Sequence, residues 1–232
     1  MHIDNSGASV DISTYTESGD TLADLACEKL RSMLLSGELS GGAIVQDRRL
    51  AERLGLSRTP VREALGRLEG EGFLRREGRV LVVNTISVED IMEILAVRRV
   101  MEAEAVRLAT GRIPKGRIDE IRSAIDGMRT VESVTGDQHW SVDDMVHLSI
   151  AQASGNRLIY RMIRDLRERT RMFGLTRIPR RFDPGKAEHL GILAAMEEGA
   201  ADRAAALMQE HIEHARQGIL DFISGRSNEP TH

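Results

Sequence analysis

Apolar residues along the first third of the chain recur at helical spacing and are then punctuated by glycines. Leu22, Leu25, Ala26, Leu30, Met33 and Leu34 lie three and four apart, which predicts a helix over Thr21 to Leu35. Gly37, Gly41 and Gly42 break it. A second short helix is predicted from about Asp47, with Leu50, Ala51 and Leu54 on one face and Gly55 as its C-terminal cap. Ser57 or Thr59 can cap a third helix, and Pro60 falls in its first turn, where the missing N–H does no harm. Val61, Leu65 and Leu68 make its buried stripe. After Gly72, two β-prone runs, Phe73 to Arg76 and Val80 to Val83, flank a Glu77-Gly78 turn and read as a hairpin.

From residue 88 onward every segment keeps the helical period. Asn84 to Ser87 is a short link, and Ser87 with Asp90 fits a capping box. Ile91, Ile94, Leu95 and the Val97 to Met101 stretch give one helix to about Ala109, ended by Gly111 and Pro114. Ile118, Ile121, Ile125 and Met128 give the next, and Gln138 to Ala153 a third. Further helices are predicted over Leu158 to about Leu175, from Asp183 to Glu198, and over about 201–223. No β-rich run competes. The fold class is therefore mostly α: a winged helix-turn-helix of three helices plus a hairpin at 20–84, then an all-α antiparallel bundle at 88–224. Residues 1–19 and 225–232 are polar and read as disordered tails.

Composition narrows the setting. Hydrophobic residues make up 41%, charged residues 29% and aromatics only 3%, so the core is aliphatic. Cys27 is the single cysteine, which excludes an intrachain disulfide and points to the cytoplasm. No apolar run is long enough for a bilayer, and the first 20 residues lack the pattern of a secretory signal, so no membrane partner is expected. The net charge of −4 does not suggest nucleic acid. Local charge decides that question, and Arg48 to Arg79 holds nine Arg against five acids.

Two short helices joined by a tight glycine turn form a helix-turn-helix, and the third helix then presents Arg58, Thr59 and Arg62 near its N-terminus. Arginine there can bind guanine bidentately, and helix amides favour phosphate. An Arg-rich amphipathic helix alone is more often a solvated face; three helices and a hairpin in this order are more specific. The stretches Leu35 to Leu39, Leu50 to Leu65 and Leu68 to Leu74 resemble the GntR family of repressors over nearly all of 20–84. The resemblance implies DNA contacts from Arg48, Arg58, Thr59 and Arg62, with Gly78 at the wing tip reaching the minor groove. Family members often carry Pro-Gly after the first helix. Gly41-Gly42 stands there instead, which is expected to loosen the loop.

In the second region, Asp143 and His147 are four apart and share a helix face. His189 lies among Leu190, Leu193 and Met196, and His211 one turn after Leu207 and Met208. Three imidazoles and a carboxylate from three helices could converge on one cation: Zn²⁺ first, with Ni²⁺, Mn²⁺, Co²⁺ or Fe²⁺ as alternatives. On spacing alone, ordinary buried or surface histidines are the commoner explanation. His2, His139, His214 and His232 read as surface or tail residues. Glu93 to Ala109, Asp143 to His147, Ala153 to Asn156, His189, Gly199 to Ala204 and Met208 to Ile212 resemble the FCD ligand-binding domain of the FadR subfamily of GntR regulators. The resemblance implies Asp143, His147, His189 and His211 as metal ligands. Family members commonly have Phe where Val146 stands, a change of packing rather than ligation. The resemblance also implies that Arg98 faces the pocket and pairs with a small carboxylate effector.

The leading functional reading is a homodimeric, effector-responsive regulator, a repressor, whose two recognition helices read a palindromic operator on double-stranded DNA. The rival is a metal-dependent enzyme using the His/Asp site. Against it, the sequence shows no Ser/His/Asp or Cys nucleophile constellation, no Glu placed for a His-Glu-x-x-His motif, and no Gly-rich phosphate loop. A structural DNA-binding protein without an effector would leave some 140 residues of bundle without a role.

Overall fold

A computed structural model describes residues 21–174 and 181–225. Apart from Gly225, the tails expected at 1–19 and 225–232, with His2 and His232, lie outside the described residues, as does Leu175. The described chain divides into two compact units that meet between Thr85 and Ile86.

In the first unit, α1 (Leu22–Leu35) opens on a capping box: the Thr21 hydroxyl accepts from the Asp24 amide and the Asp24 carboxylate accepts from the Thr21 amide. Then come β1 (Ile44–Val45), α2 (Asp47–Leu54), α3 (Arg58–Gly70), β2 (Leu74–Glu77) and β3 (Val80–Val83). The apolar stripes close on one another: Leu25, Leu30, Val61, Leu68, Phe73 and Val82 are all buried. Gly55 caps α2 in the left-handed region, at φ 66°, which turns the chain sharply into α3. The sheet has three antiparallel strands in the order β1-β3-β2, with Val45 opposite Leu81 and Leu74 opposite Val83.

Two expectations change here. The wing is a three-stranded sheet rather than a hairpin alone, because Ile44–Val45, too short to show a period, pairs with β3. The Gly41-Gly42 loop is pinned rather than loose. The Gly42 amide donates to the Val83 carbonyl (2.9 Å) and the Val83 amide to the Ala43 carbonyl (2.9 Å). Gly42 adopts φ +79°, and a Cβ on Gly41 would sit 2.9 Å from the Thr85 methyl, so both positions suit glycine.

The second unit is helical throughout: α4 (Val88–Ala109), α5 (Lys115–Gly127), a 3₁₀ turn (Val131–Ser133), α6 (Gly136–Ala153), α7 (Arg157–Met172), α8 (Phe182–Glu197) and α9 (Ala201–Ile223). α4 is central, contacting α6, α7 and α9. Its inward stripe runs Ile91, Leu95, Arg98, Glu102, Val106 and Ala109, all buried. Arg98 and Glu102 thus occupy core positions. Ser87 and Asp90 form the capping box at its start, and Thr135 and Gln138 form another on α6. The Asn156 side chain accepts from the Leu158 and Ile159 amides (3.0 and 3.1 Å), closing the N-terminus of α7. Asn156→Ala is expected to lower stability by about 1 kcal/mol, measured as a fall in the melting midpoint with no change in helix content.

Candidate functional site

α6 carries Asp143 and His147 one turn apart, α8 brings His189 and α9 brings His211. His147, His189 and His211 are buried. The three imidazoles converge through their Nε2 atoms: His189 Nε2 lies 3.3 Å from that of His147 and 3.2 Å from that of His211. Asp143 Oδ1 is 3.5 Å from His189 Nε2 and 3.9 Å from His147 Nε2. One ligand atom from each of the four residues lies within 4.8 Å of all the others. Two nitrogens bound tetrahedrally to one Zn²⁺ at ~2.0–2.1 Å would be about 3.3 Å apart, so the spacing suits a cation between them.

The outer nitrogens strengthen that fit. The Nδ1 of His147 is held by Glu102, and the Nδ1 of His211 is 2.8 Å from Glu188 Oε2. A carboxylate can only accept, so both Nδ1 atoms carry a proton, and in the neutral rings both Nε2 atoms present lone pairs. His189 Nε2 faces both of them. It has one proton at most and cannot satisfy two lone pairs, so three neutral rings alone leave a repulsive contact. A cation removes it. Burial lowers the proton affinity of His147 despite Glu102, and burial followed by the neighbouring His211 pushes that of His189 well down. Both therefore favour the neutral, ligating form. Burial alone would raise Asp143, but the Arg167 guanidinium together with the three neighbouring imidazoles outweighs it and holds the carboxyl well below the usual carboxylate range.

Three residues that the sequence reading missed build this surround. Arg167 on α7 is buried and donates from Nη2 to Asp143 Oδ2 (2.6 Å) and to Asp144 Oδ1 (2.6 Å), with Nε to Asp144 Oδ1 (2.8 Å). Glu102 takes His147 on one side and the Arg98 Nε (2.7 Å) on the other. Burial opposes its charge, yet Arg98 and His147 keep it ionised, well below its ordinary range. Glu188 receives His211, Arg181 and the His214 Nδ1 (2.9 Å), which together outweigh its burial and bring its pKa to about 2.

Beside the four residues is a cavity of about 60 Å³, lined among others by Arg98, Trp140, Asp143, Lys186, His189 and His211. Arg98 does face this cavity, but it is not a free cation. Its Nη1 also donates to Thr170 Oγ1 (3.2 Å), and its charge is balanced by Glu102. His139, expected at the surface, is half-buried and lines the same cavity, one turn before Asp143 on α6. The exposed His214 side chain matches its expected place.

The first unit presents a second candidate surface. α3 begins with Arg58 and Thr59, both exposed, and Arg62 follows one turn later on the same face. Ser57 takes the N-cap position but its hydroxyl makes no capping bond, contrary to the role expected of it. Arg48 on α2 is exposed and paired with Glu52 (3.0 Å), and Gly78 sits in the β2–β3 turn at φ +62°. A groove between α3 and the sheet is lined by Arg48, Arg62, Arg76 and Arg79. No helix among the described residues is long and apolar enough to cross a membrane.

Known proteins give the same two-part division. Residues 22–83 match the bacterial regulatory proteins of the gntR family, and residues 93–214 match the FCD domain. The Nta operon transcriptional regulator of Aminobacter aminovorans is 28% identical over 204 residues, covering 85% of this chain and 94% of that protein. The gluconate operon transcriptional repressor of Bacillus licheniformis is 36% identical over 97 residues, 42% of this chain and 38% of that protein. Among solved structures, McbR/YncC of E. coli superposes with a TM-score of 0.73 at 25% identity, covering 90% of this chain and 100% of that one. With both regions matched and a regulator as the relative along most of its length, the chain belongs to the GntR family of transcriptional regulators, with an FCD domain as its second unit, and is not an enzyme.

Proposed function

We propose that this regulator is a homodimeric repressor that reads a palindromic operator and is controlled by a small carboxylate bound at a metal ion in the FCD domain. The observation that carries the reading is the meeting of three buried imidazole Nε2 atoms whose partners on Nδ1 leave lone pairs facing inward. Asp143, His147, His189 and His211 hold the ion, Zn²⁺ first, with Ni²⁺, Mn²⁺, Co²⁺ or Fe²⁺ as alternatives from the same donor set. A bound ion of this kind acts as an acceptor for a carboxylate oxygen. The chain's own contribution is the pocket. Arg98 and Lys186 supply positive charge to its wall, and Trp140 and Leu95 supply apolar surface that excludes water. Its volume of about 60 Å³ favours a short acid over a fatty one.

On the DNA side, Arg58, Thr59 and Arg62 meet base edges and nearby phosphates, Arg48 meets phosphate, and Gly78 lets the wing approach the minor groove. An effector that favours one arrangement of the dimer shifts the spacing of the two recognition helices. Repression, rather than activation, follows the gluconate operon repressor among its relatives.

The test uses a duplex selected by the wild-type protein from a random-sequence pool. Arg58→Ala and Arg62→Ala are each expected to weaken binding to it by about 1–3 kcal/mol, with gel shift as the measurement. Equal binding by both variants removes the recognition-helix assignment. Adding short mono- and dicarboxylates should release DNA from Zn²⁺-loaded protein. Release that is the same after the metal has been stripped removes the metal from effector recognition.

A further inference from the structure

α2 opens on Asp47 and α3 on Arg58, and the turn at Gly55 brings the two ends together. Asp47 Oδ2 accepts from Arg58 Nη2 at 2.9 Å and lies 3.8 Å from Arg62 Nε. The aspartate side chain is 27% exposed, against 60% and 72% for the two arginines. The acid therefore sits behind a pair of cations on the face that would meet DNA. A carboxylate in that place repels phosphate and lowers affinity for every DNA sequence. Fastening the helices does not require it, because α2 packs on α3 and Leu50, Ala51, Val61 and Leu65 are buried. The hydrogen bond from Arg58 holds the Asp47 carboxyl below its ordinary range, so it is ionised at neutral pH.

An arginine fork reads guanine O6 and N7 only in one orientation, and a free side chain must give up its rotamer freedom to adopt it. One nitrogen anchored on a carboxylate fixes the plane of the fork and leaves other N–H groups pointing outward. We infer that Asp47 is a positioning residue for sequence reading: it orients Arg58 and Arg62 toward base edges, lowering affinity for DNA in general while raising discrimination. This rests on the reading of Arg58 and Arg62 as base-contacting residues.

The experiment compares wild type, Asp47→Asn, Arg58→Ala and the double variant by fluorescence anisotropy. Three kinds of duplex are used: one selected by wild type from a random pool, its single-base-pair variants, and a shuffled duplex of equal composition. Asp47→Asn is expected to lower the selected-to-shuffled affinity ratio about tenfold, with binding to the shuffled duplex unchanged or tighter. The loss should fall on the same base pairs that Arg58→Ala relaxes, and in the Arg58→Ala background the Asn should change the ratio by less than about twofold. Asp47→Glu, which keeps the charge, should restore part of the ratio. A ratio left unchanged overturns the inference, whether both affinities rise (the acid only repels) or both fall (the acid only steadies α2). If Asp47→Asn melts well below wild type, Asp47→Glu decides: a wild-type melt and a ratio still reduced at the Arg58 base pairs support positioning, and a uniform loss at every base pair overturns it. If Arg58→Ala reads DNA as wild type does, the reading beneath the inference falls with it, a result distinct from an Asp47 effect that is merely uniform.

Discussion

Arg167→Met is expected to destabilise the FCD domain by about 3–5 kcal/mol, a fall of more than ~10 °C in its melting midpoint. The guanidinium holds Asp143 and Asp144 together from one buried position between α6 and α7. Burial disfavours the charges of Asp143 and Arg167, and their attraction for each other is a large part of what offsets it. Methionine fills similar volume but leaves the half-buried Asp143 carboxylate without its cation. Arg167→Lys tests the geometry separately. It keeps the charge but presents a single ammonium where a planar fork now spans two carboxylates, so it should recover only part of the loss. A melting midpoint for Arg167→Met within a degree or two of wild type would mean that water screens the cluster after all.

His189→Ala is expected to lower Zn²⁺ affinity by more than about 100-fold, since loss of an outer-shell partner alone typically costs 10–100-fold. His189 is the central imidazole, the one whose Nε2 is within 3.3 Å of both others. Wild-type protein with free Zn²⁺ at 100 times its dissociation constant gains about 2.7 kcal/mol of stability, which a chelator removes. The variant should melt at the same temperature with and without chelator, and its purified form should carry little metal by elemental analysis. Retention of one equivalent of metal with an unchanged response to chelator would place the ion elsewhere. The two variants separate cleanly: Arg167→Met acts on the fold whether or not metal is present, and His189→Ala acts chiefly when it is.

Much of this architecture is written in local sequence. The stripes of α1, α3 and α4 are periodic, the Ser87/Asp90 box marks a helix start, and Gly55 marks a stop. Asp143 and His147 are legible as a pair because four residues make one turn. The rest of the cluster is assembled across helices, and spacing along the chain says nothing about which helices meet. Arg167 lies in a segment so rich in arginine and acid that it reads as a solvated face; only Ile163 and Thr170, buried on the same stripe, hint otherwise. Glu102 had a stronger signal. It and Arg98 interrupt an otherwise apolar α4 stripe at core positions, and charged residues at such positions are rarely left unpaired. Asp47 shows as a helix-opening acid, a common and innocuous feature, and its hold on Arg58 depends on a tertiary turn. β1 is two residues long, below the length at which alternation can be seen.

Glu102 touches an imidazole of the candidate metal site with one oxygen and a cavity-wall arginine with the other. Any occupant of the cavity that draws on Arg98 alters the field that Glu102 exerts on His147, and any ion that draws on His147 alters the hold of Glu102 on Arg98. Ion and cavity ligand are then thermodynamically linked, and linkage is reciprocal: whatever factor the ion contributes to the ligand's affinity, the ligand contributes to the ion's. Under the proposed function, a cell's supply of metal and its supply of metabolite are read by this domain as one product rather than as two separate quantities.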